Sequence, residues 1–206
     1  MTKKHRVMSE QPSTYSQLPA NLDLTEQILI SIGKLIVVWA NCESCFYAAY
    51  FCLSGRPNGN ADIAWASILS TRRRMDLLYN LVRFDPDLSE QTKSELFRCL
   101  DEFKTVTESR NYFCHAQYAT DETAKILVKI DQWGLAPIKN THDPIFRERS
   151  KPANKETVNQ ICYMADRCLD IMYRVADCVY SLRDELKLQD VNLPPLPTGK
   201  SPIKEK

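Results

Sequence analysis

The sequence predicts an all-α fold, an up-and-down four-helix bundle with a small β-hairpin inserted between helices three and four. Three observations predict it. Apolar residues recur at the 3.6-residue period of a helix face over four long stretches. Glycine, which weakens helices, occurs only 5 times, and many of the 11 prolines crowd towards the ends. In one place alone, between the third and fourth stretches, the period drops to two.

The first helix is predicted from about Asp23, an N-cap with Glu26 three residues on, to Leu53, where Ser54-Gly-Arg-Pro-Asn-Gly59 breaks it. The second is predicted over 61–83, with Trp65, Ile68, Leu69, Met75, Leu78 and Val82 on one side. Phe84-Asp-Pro-Asp87 ends it, and Asp87 or Ser89 opens the third, over 88–116, with Leu96, Leu100, Phe103, Val106 and Arg110 in one stripe. The fourth covers 155–186, with Ile161, Cys168, Ile171, Val175 and Val179 inward. Between the last two, Lys125–Trp133 alternates, with Ile126, Val128 and Ile130 on one face. Gly134 and Pro137 follow as turn signals, which predicts a hairpin over about 123–149 with its second strand in 137–149. Residues 21–187 thus form one helical domain. Residues 1–20 are expected to be a flexible tail, and 188–206, rich in Pro and Lys with little to bury, a disordered one.

Composition narrows the function classes. The formal net charge is +1, so no global field draws the chain to nucleic acid or membrane, and phosphate binding must come from a local cluster. The N-terminus has no apolar h-region of a secretion signal. The most apolar stretch, 28–53, is interrupted by Lys34, Asn41, Glu43 and Ser44, which argues for a buried soluble helix and against a membrane span. Eight cysteines fall within predicted helices, mostly among apolar neighbours, and are expected to be free thiols of a cytoplasmic protein. Cys42-x-x-Cys45 has a metal-like spacing but no second pair to complete four ligands, so neither metal nor cofactor is expected.

Three ionisable residues interrupt apolar stripes: Glu43 between Trp39 and Phe46, Arg72 between Ile68 and Met75, and Arg110 after Phe103 and Val106. One explanation is an ion pair that fixes helix register, Glu43 with Arg72 or Arg110. The other is a functional cleft lined by these charges. Arg72-Arg73-Arg74 reads in two ways as well. Arg73 fits a solvated face, while Arg72 and Arg74 stay open between that and contacts to phosphates, Arg74 being the candidate phosphate contact.

The end of helix three reads Ser109-Arg110-Asn111-Tyr112-Phe113-Cys114-His115-Ala116. Helix geometry sets Asn111 and His115 about 40° apart and Arg110 about 140° from His115, an arc suited to a cleft made by more than one element. An imidazole moves protons near neutral pH, a guanidinium places a fork of donors on a phosphate, and an amide orients either without adding charge. His5 lies in the expected tail and His142 in a proline-flanked loop, leaving His115 in a helix. A plain structural alternative is polar contacts at a helix end.

This R-N-x-x-x-H pattern resembles the R-x(4–6)-H motif of HEPN (higher eukaryotes and prokaryotes nucleotide-binding) domains. The resemblance covers about residues 22–186 through helix order, and Trp39-x-x-x-Glu43 also looks like small bacterial members. It implies a homodimer that joins two motifs across a two-fold axis, and metal-independent RNA cleavage by the 2′-OH, which leaves a 2′,3′-cyclic phosphate. It further implies Arg110, Asn111 and His115 as the catalytic set; Glu43 and Arg72, read from the apolar stripes they interrupt, are the expected supporting charge network. A toxin–antitoxin or anti-phage setting, with an antitoxin or regulatory protein as a further partner, follows from the resemblance alone. The competing reading is an inactive HEPN-like bundle that binds a nucleotide or a protein. A third is a helical adaptor whose Pro-rich tail recruits other proteins.

Overall fold

The structure is a computed structural model that describes residues 17–54, 59–121, 126–130, 150–188, 193 and 196–198. It is mostly helical. The helices are α1 (Leu24–Leu53), α2 (Gly59–Ser67), α3 (Thr71–Phe84), α4 (Glu90–Cys114) and α5 (Lys155–Glu185). Local chemistry sets their starts. Asp23 accepts from the Glu26 amide, and the Glu26 carboxylate accepts from the Asp23 amide, each at 2.9 Å. Ser89 caps α4 through the Thr92 amide, and Asn154 with Thr157 forms a second reciprocal cap on α5. At the end of α5, Lys187 takes a left-handed conformation (φ 54°), and the Leu188 amide donates back to the Arg183 carbonyl at 2.9 Å.

The helix expected over 61–83 is two helices. Ser70 is extended (φ −105°, ψ 122°), so the helical phase is lost across 68–70 and restarts at Thr71. The break has a partner: Arg74 Nε donates to the Ile68 carbonyl at 2.8 Å, satisfying an acceptor that helix continuation would have used. The restart changes which side chains face in. Met75, Leu78 and Val82 are buried, whereas Leu69 is 95% exposed and Arg72 is exposed. The inward placement of Leu69 and Arg72 is therefore corrected.

α1 and α5 pack along their length, with α3 and α4 against them. Phe103 of α4 is fully buried between Trp39, stacked at 5.8 Å, and Phe46 at 5.0 Å. Burial of each such large side chain contributes about 1.5–3 kcal/mol. By length and composition α1 is apolar enough to cross a bilayer, a test that the core helix of a soluble protein also passes. Here Ile28, Leu35, Val38, Cys42 and Phe46 are buried within the protein, and Leu29, Ile36 and Val37 remain exposed on its other side.

After α4 come β1 (Gln117–Asp121), β2 (Ile126–Ile130) and, before α5, β3 (Ser150–Pro152), in the antiparallel order β1-β2-β3. Gln117 pairs with Ile130 and Asp121 with Ile126, and on the other edge Ile130 pairs with Ser150. The alternating stretch is thus flanked on both sides, first by residues that directly follow α4. The second-strand window 137–149 lies outside the described residues. The C-terminal stretch has more to bury than expected, since Leu188, Leu193 and Leu196 pack on the core, as does Leu18 at the other end.

None of the eight cysteines is in a disulfide, and Cys114 is the one not fully buried. Burial pushes the Cys45 and Cys178 thiols up to about 12 and Cys52 to about 11, so they stay protonated and poorly nucleophilic at neutral pH. Among the described residues, no group of three His, Cys, Asp or Glu side chains is arranged to hold a metal.

Candidate functional site

The site predicted from sequence lies where the last turn of α4 crosses α1. Arg110 is half-buried, its guanidinium carbon 4.5 Å from the centre of the Trp39 ring. That ring is itself fixed. Its indole N–H donates to the Thr107 hydroxyl at 2.9 Å, one turn before Arg110, and the ring stacks with Phe103. Arg110 Nη1 donates to the Asn111 side-chain oxygen at 2.8 Å. Arg110 Nε is buried and has no hydrogen-bond partner among the described residues. A buried donor left unmade costs about 1–3 kcal/mol, so it calls for a physical explanation. No carboxylate pairs with Arg110 among the described residues.

His115 is the C-cap of α4 and is exposed. Its backbone N–H donates to the Asn111 carbonyl at 3.0 Å, and among the described residues its imidazole forms no hydrogen bond with Arg110, which bonds Asn111 instead. Asn111 thus joins both: its side chain holds the arginine and its carbonyl ends the helix under the histidine. Between them Cys114 is half-buried; burial raises its thiol, with Arg110 pulling the other way.

Glu43, one turn beyond Trp39 on α1, does not pair with Arg72 or Arg110. Its carboxylate accepts from the Thr71 hydroxyl at 2.9 Å and from Arg74 Nη1 at 3.3 Å. Arg74 also lies 5.3 Å from the Trp65 ring centre. The phase restart at Thr71 turns Arg74, and not Arg72, towards α1. Arg74, expected as a candidate phosphate contact, is therefore committed to a carboxylate, a carbonyl and an aromatic face. Beside this pair a cleft of about 310 Å³ is lined by Glu43, Tyr47, Asp62, Trp65 and Arg74. The Tyr47 hydroxyl donates to Asp62, and burial followed by that carboxylate pushes it up to about 12. A second cleft, about 340 Å³, lies apart from Arg110, between Ser89, Thr92, Glu95, Arg174 and Glu185.

Sequence reading missed Thr71, Thr107 and Trp65. Thr107 carried a weak signal: a polar residue three before Arg110, beside the apolar stripe. Among known proteins, no family model, no curated protein and no solved structure matches this chain.

Proposed function

We propose that this chain is a metal-independent endoribonuclease of HEPN type, a four-helix bundle with a β insertion over 117–152 that works as a homodimer. The observation that carries the reading is the state of Arg110. It is positioned by Trp39 and Asn111 and has no carboxylate partner among the described residues, five residues before an exposed histidine. A fixed cation without a counter-charge suits the crowded phosphate of an RNA transition state. His115 forms no hydrogen bond with Arg110 among the described residues, and a two-fold dimer that faces the ends of two α4 helices supplies one joint cleft. In that cleft the 2′-oxygen attacks the adjacent phosphorus, and the bond to the 5′-oxygen breaks. A histidine exchanges protons with the entering and leaving oxygens, and a 2′,3′-cyclic phosphate and a 5′-hydroxyl result. RNA is the substrate and the cytoplasm the location, no cofactor takes part, and an antitoxin or regulatory protein is the further partner, in a toxin–antitoxin or anti-phage role.

The second reading is an inactive HEPN-like bundle that binds a nucleotide or a protein. The cleft beside Glu43, with Trp65 and Tyr47 in its wall, favours it. Purified protein with labelled RNA in EDTA separates the two. Wild type is expected to sediment as a dimer and cleave. Arg110→Ala and His115→Ala should lose cleavage while remaining dimeric, and Asn111→Ala should retain a fraction of it, because Asn transfers no proton. An inert wild type, or full cleavage by His115→Ala, overturns the ribonuclease reading.

A further inference from the structure

α3 is the most basic helix of a nearly neutral chain: Arg72, Arg73, Arg74 and Arg83 against the single acid Asp76. Arg74 is used by Glu43. The other three arginines are exposed. At 100° per residue, Tyr79, Arg72, Arg83, Asp76, Arg73 and Phe84 fall on one outer arc of about 140°, opposite the buried Met75, Leu78 and Val82. Two aromatics share that arc. Phe84 is 74% exposed, with the Arg83 guanidinium 5.4 Å from its ring centre. Tyr79 is 39% exposed and is braced from behind by Phe97 of α4, at 4.5 Å. Exposing a Phe of this size costs apolar burial that a buried alternative would keep, and it supplies an open π-face beside fixed positive charge.

We infer that the outer face of α3 binds single-stranded RNA, with Arg72, Arg73 and Arg83 on phosphates and Phe84 and Tyr79 stacking bases. Basic groups that track a backbone, interleaved with aromatic faces, are how single strands are held without sequence readout. Paired bases would offer neither face to the aromatics. The first turn of α3 also adjoins the candidate site. Thr71 and Arg74, in the first turn of α3, bond Glu43, which stands one helical turn, about 6 Å along α1, from Trp39, under Arg110. The inference rests on the ribonuclease reading for its substrate class and deepens it by naming an unpaired strand, but its test reads binding and not cleavage.

The full chain carrying His115→Ala, which keeps the RNA intact, is titrated with fluorescein-labelled oligo-uridine at several salt concentrations. Tight binding that weakens with salt is expected. Adding Arg72→Glu, Arg73→Glu and Arg83→Glu together should weaken it at least about tenfold and make the log-affinity against log-salt slope shallower by about 2, three phosphate contacts at roughly 0.7 each for a single strand. Phe84→Ala should weaken it at least about fivefold with an unchanged salt slope, the signature of lost stacking. All these side chains are exposed, so melting temperatures should hold. Absence of binding, equal binding by the triple variant, or equal binding of a blunt RNA duplex overturns the inference. Binding that follows these rules in a protein whose wild type cuts no RNA supports the surface and sinks only the catalytic reading.

Discussion

Among the described residues, two arginines lie over tryptophan rings, and their second partners differ. Arg74 sits 5.3 Å from the Trp65 centre and bonds Glu43, so its charge is cancelled and its Nε is used by the Ile68 carbonyl. Arg110 sits closer, 4.5 Å from Trp39, but its side-chain acceptor is an amide, and its Nε has no partner among the described residues. The first arrangement closes a gap between α1 and α3. The second holds a cation in place without satisfying it. Under the proposed function Arg74 is structural and Arg110 functional, and what separates the two is how their donors are used, not their position over a ring.

That contrast can be broken most severely by truncation at each site. Arg110→Ala should reduce cleavage by about 10²–10³-fold, as loss of a transition-state donor does, with a stability change under about 2 kcal/mol from the lost ring contact. Comparable cleavage by Arg110→Ala and wild type would erase the contrast.

Arg174 extends the structural end of the comparison. It bonds Glu95 at 2.7 Å and Glu102 at 3.1 Å across the α4–α5 seam, and Asp170 of its own helix at 3.2 Å. Burial works against its charge, and the hydrogen bonds to Glu102 and Glu95 outweigh that and hold it protonated. Arg174→Ala leaves carboxylates facing each other and should cost about 2–4 kcal/mol with cleavage retained in the folded fraction, as chemical denaturation would show. pH supplies a second reading. Burial would raise the Glu95 carboxyl, but bonds from Arg98 and Arg174 hold it below its ordinary value of 4.5. The folded state then binds fewer protons than the unfolded one, so this contribution is complete above about pH 4.5 and fades as acid protonates the folded carboxyl. The acid-induced loss of stability should be shallower in Arg174→Ala than in wild type.

Smaller effects sharpen the same contrast. Glu43→Ala strands Arg74 and should cost about 1–3 kcal/mol, between the values for buried and exposed pairs, while cleavage falls less than tenfold. Thr107→Val removes the anchor of the Trp39 indole and should cost about 0.5–1.5 kcal/mol and lower kcat severalfold through Arg110. An unchanged kcat with the expected stability loss would show that Trp39 does not position Arg110.

What the sequence revealed and what it hid divide along the range of the interactions. The Asp23–Glu26 cap could be read because both partners lie within four residues. The arginine, asparagine and histidine at the end of α4 were visible as a local motif. The break at 68–70 was not, because Ile68, Leu69 and Ser70 contain neither Gly nor Pro, and the carbonyl it frees is met by a side chain six residues on. Missing the break rotated everything after it, which exchanged the roles of Arg72 and Arg74. Trp39 under Arg110 is a contact between residues 71 positions apart, and no periodicity encodes it. The extra strand before β2 was missed because Gln117–Asp121 directly follows a helix and offers no Gly or Pro to announce a change.

The most direct test of the central claim uses one RNA in two forms, all-ribose and with a single 2′-deoxy nucleotide at the position wild-type protein cuts, incubated in EDTA. If a 2′-OH is the nucleophile and Arg110 and His115 serve its phosphate, the ribose form yields a 2′,3′-cyclic phosphate and a 5′-hydroxyl, the deoxy form survives at that position, and Arg110→Ala and His115→Ala cut neither. Cleavage at the deoxy position, ends that carry a 3′-hydroxyl, or no cutting of either form by wild type would contradict it.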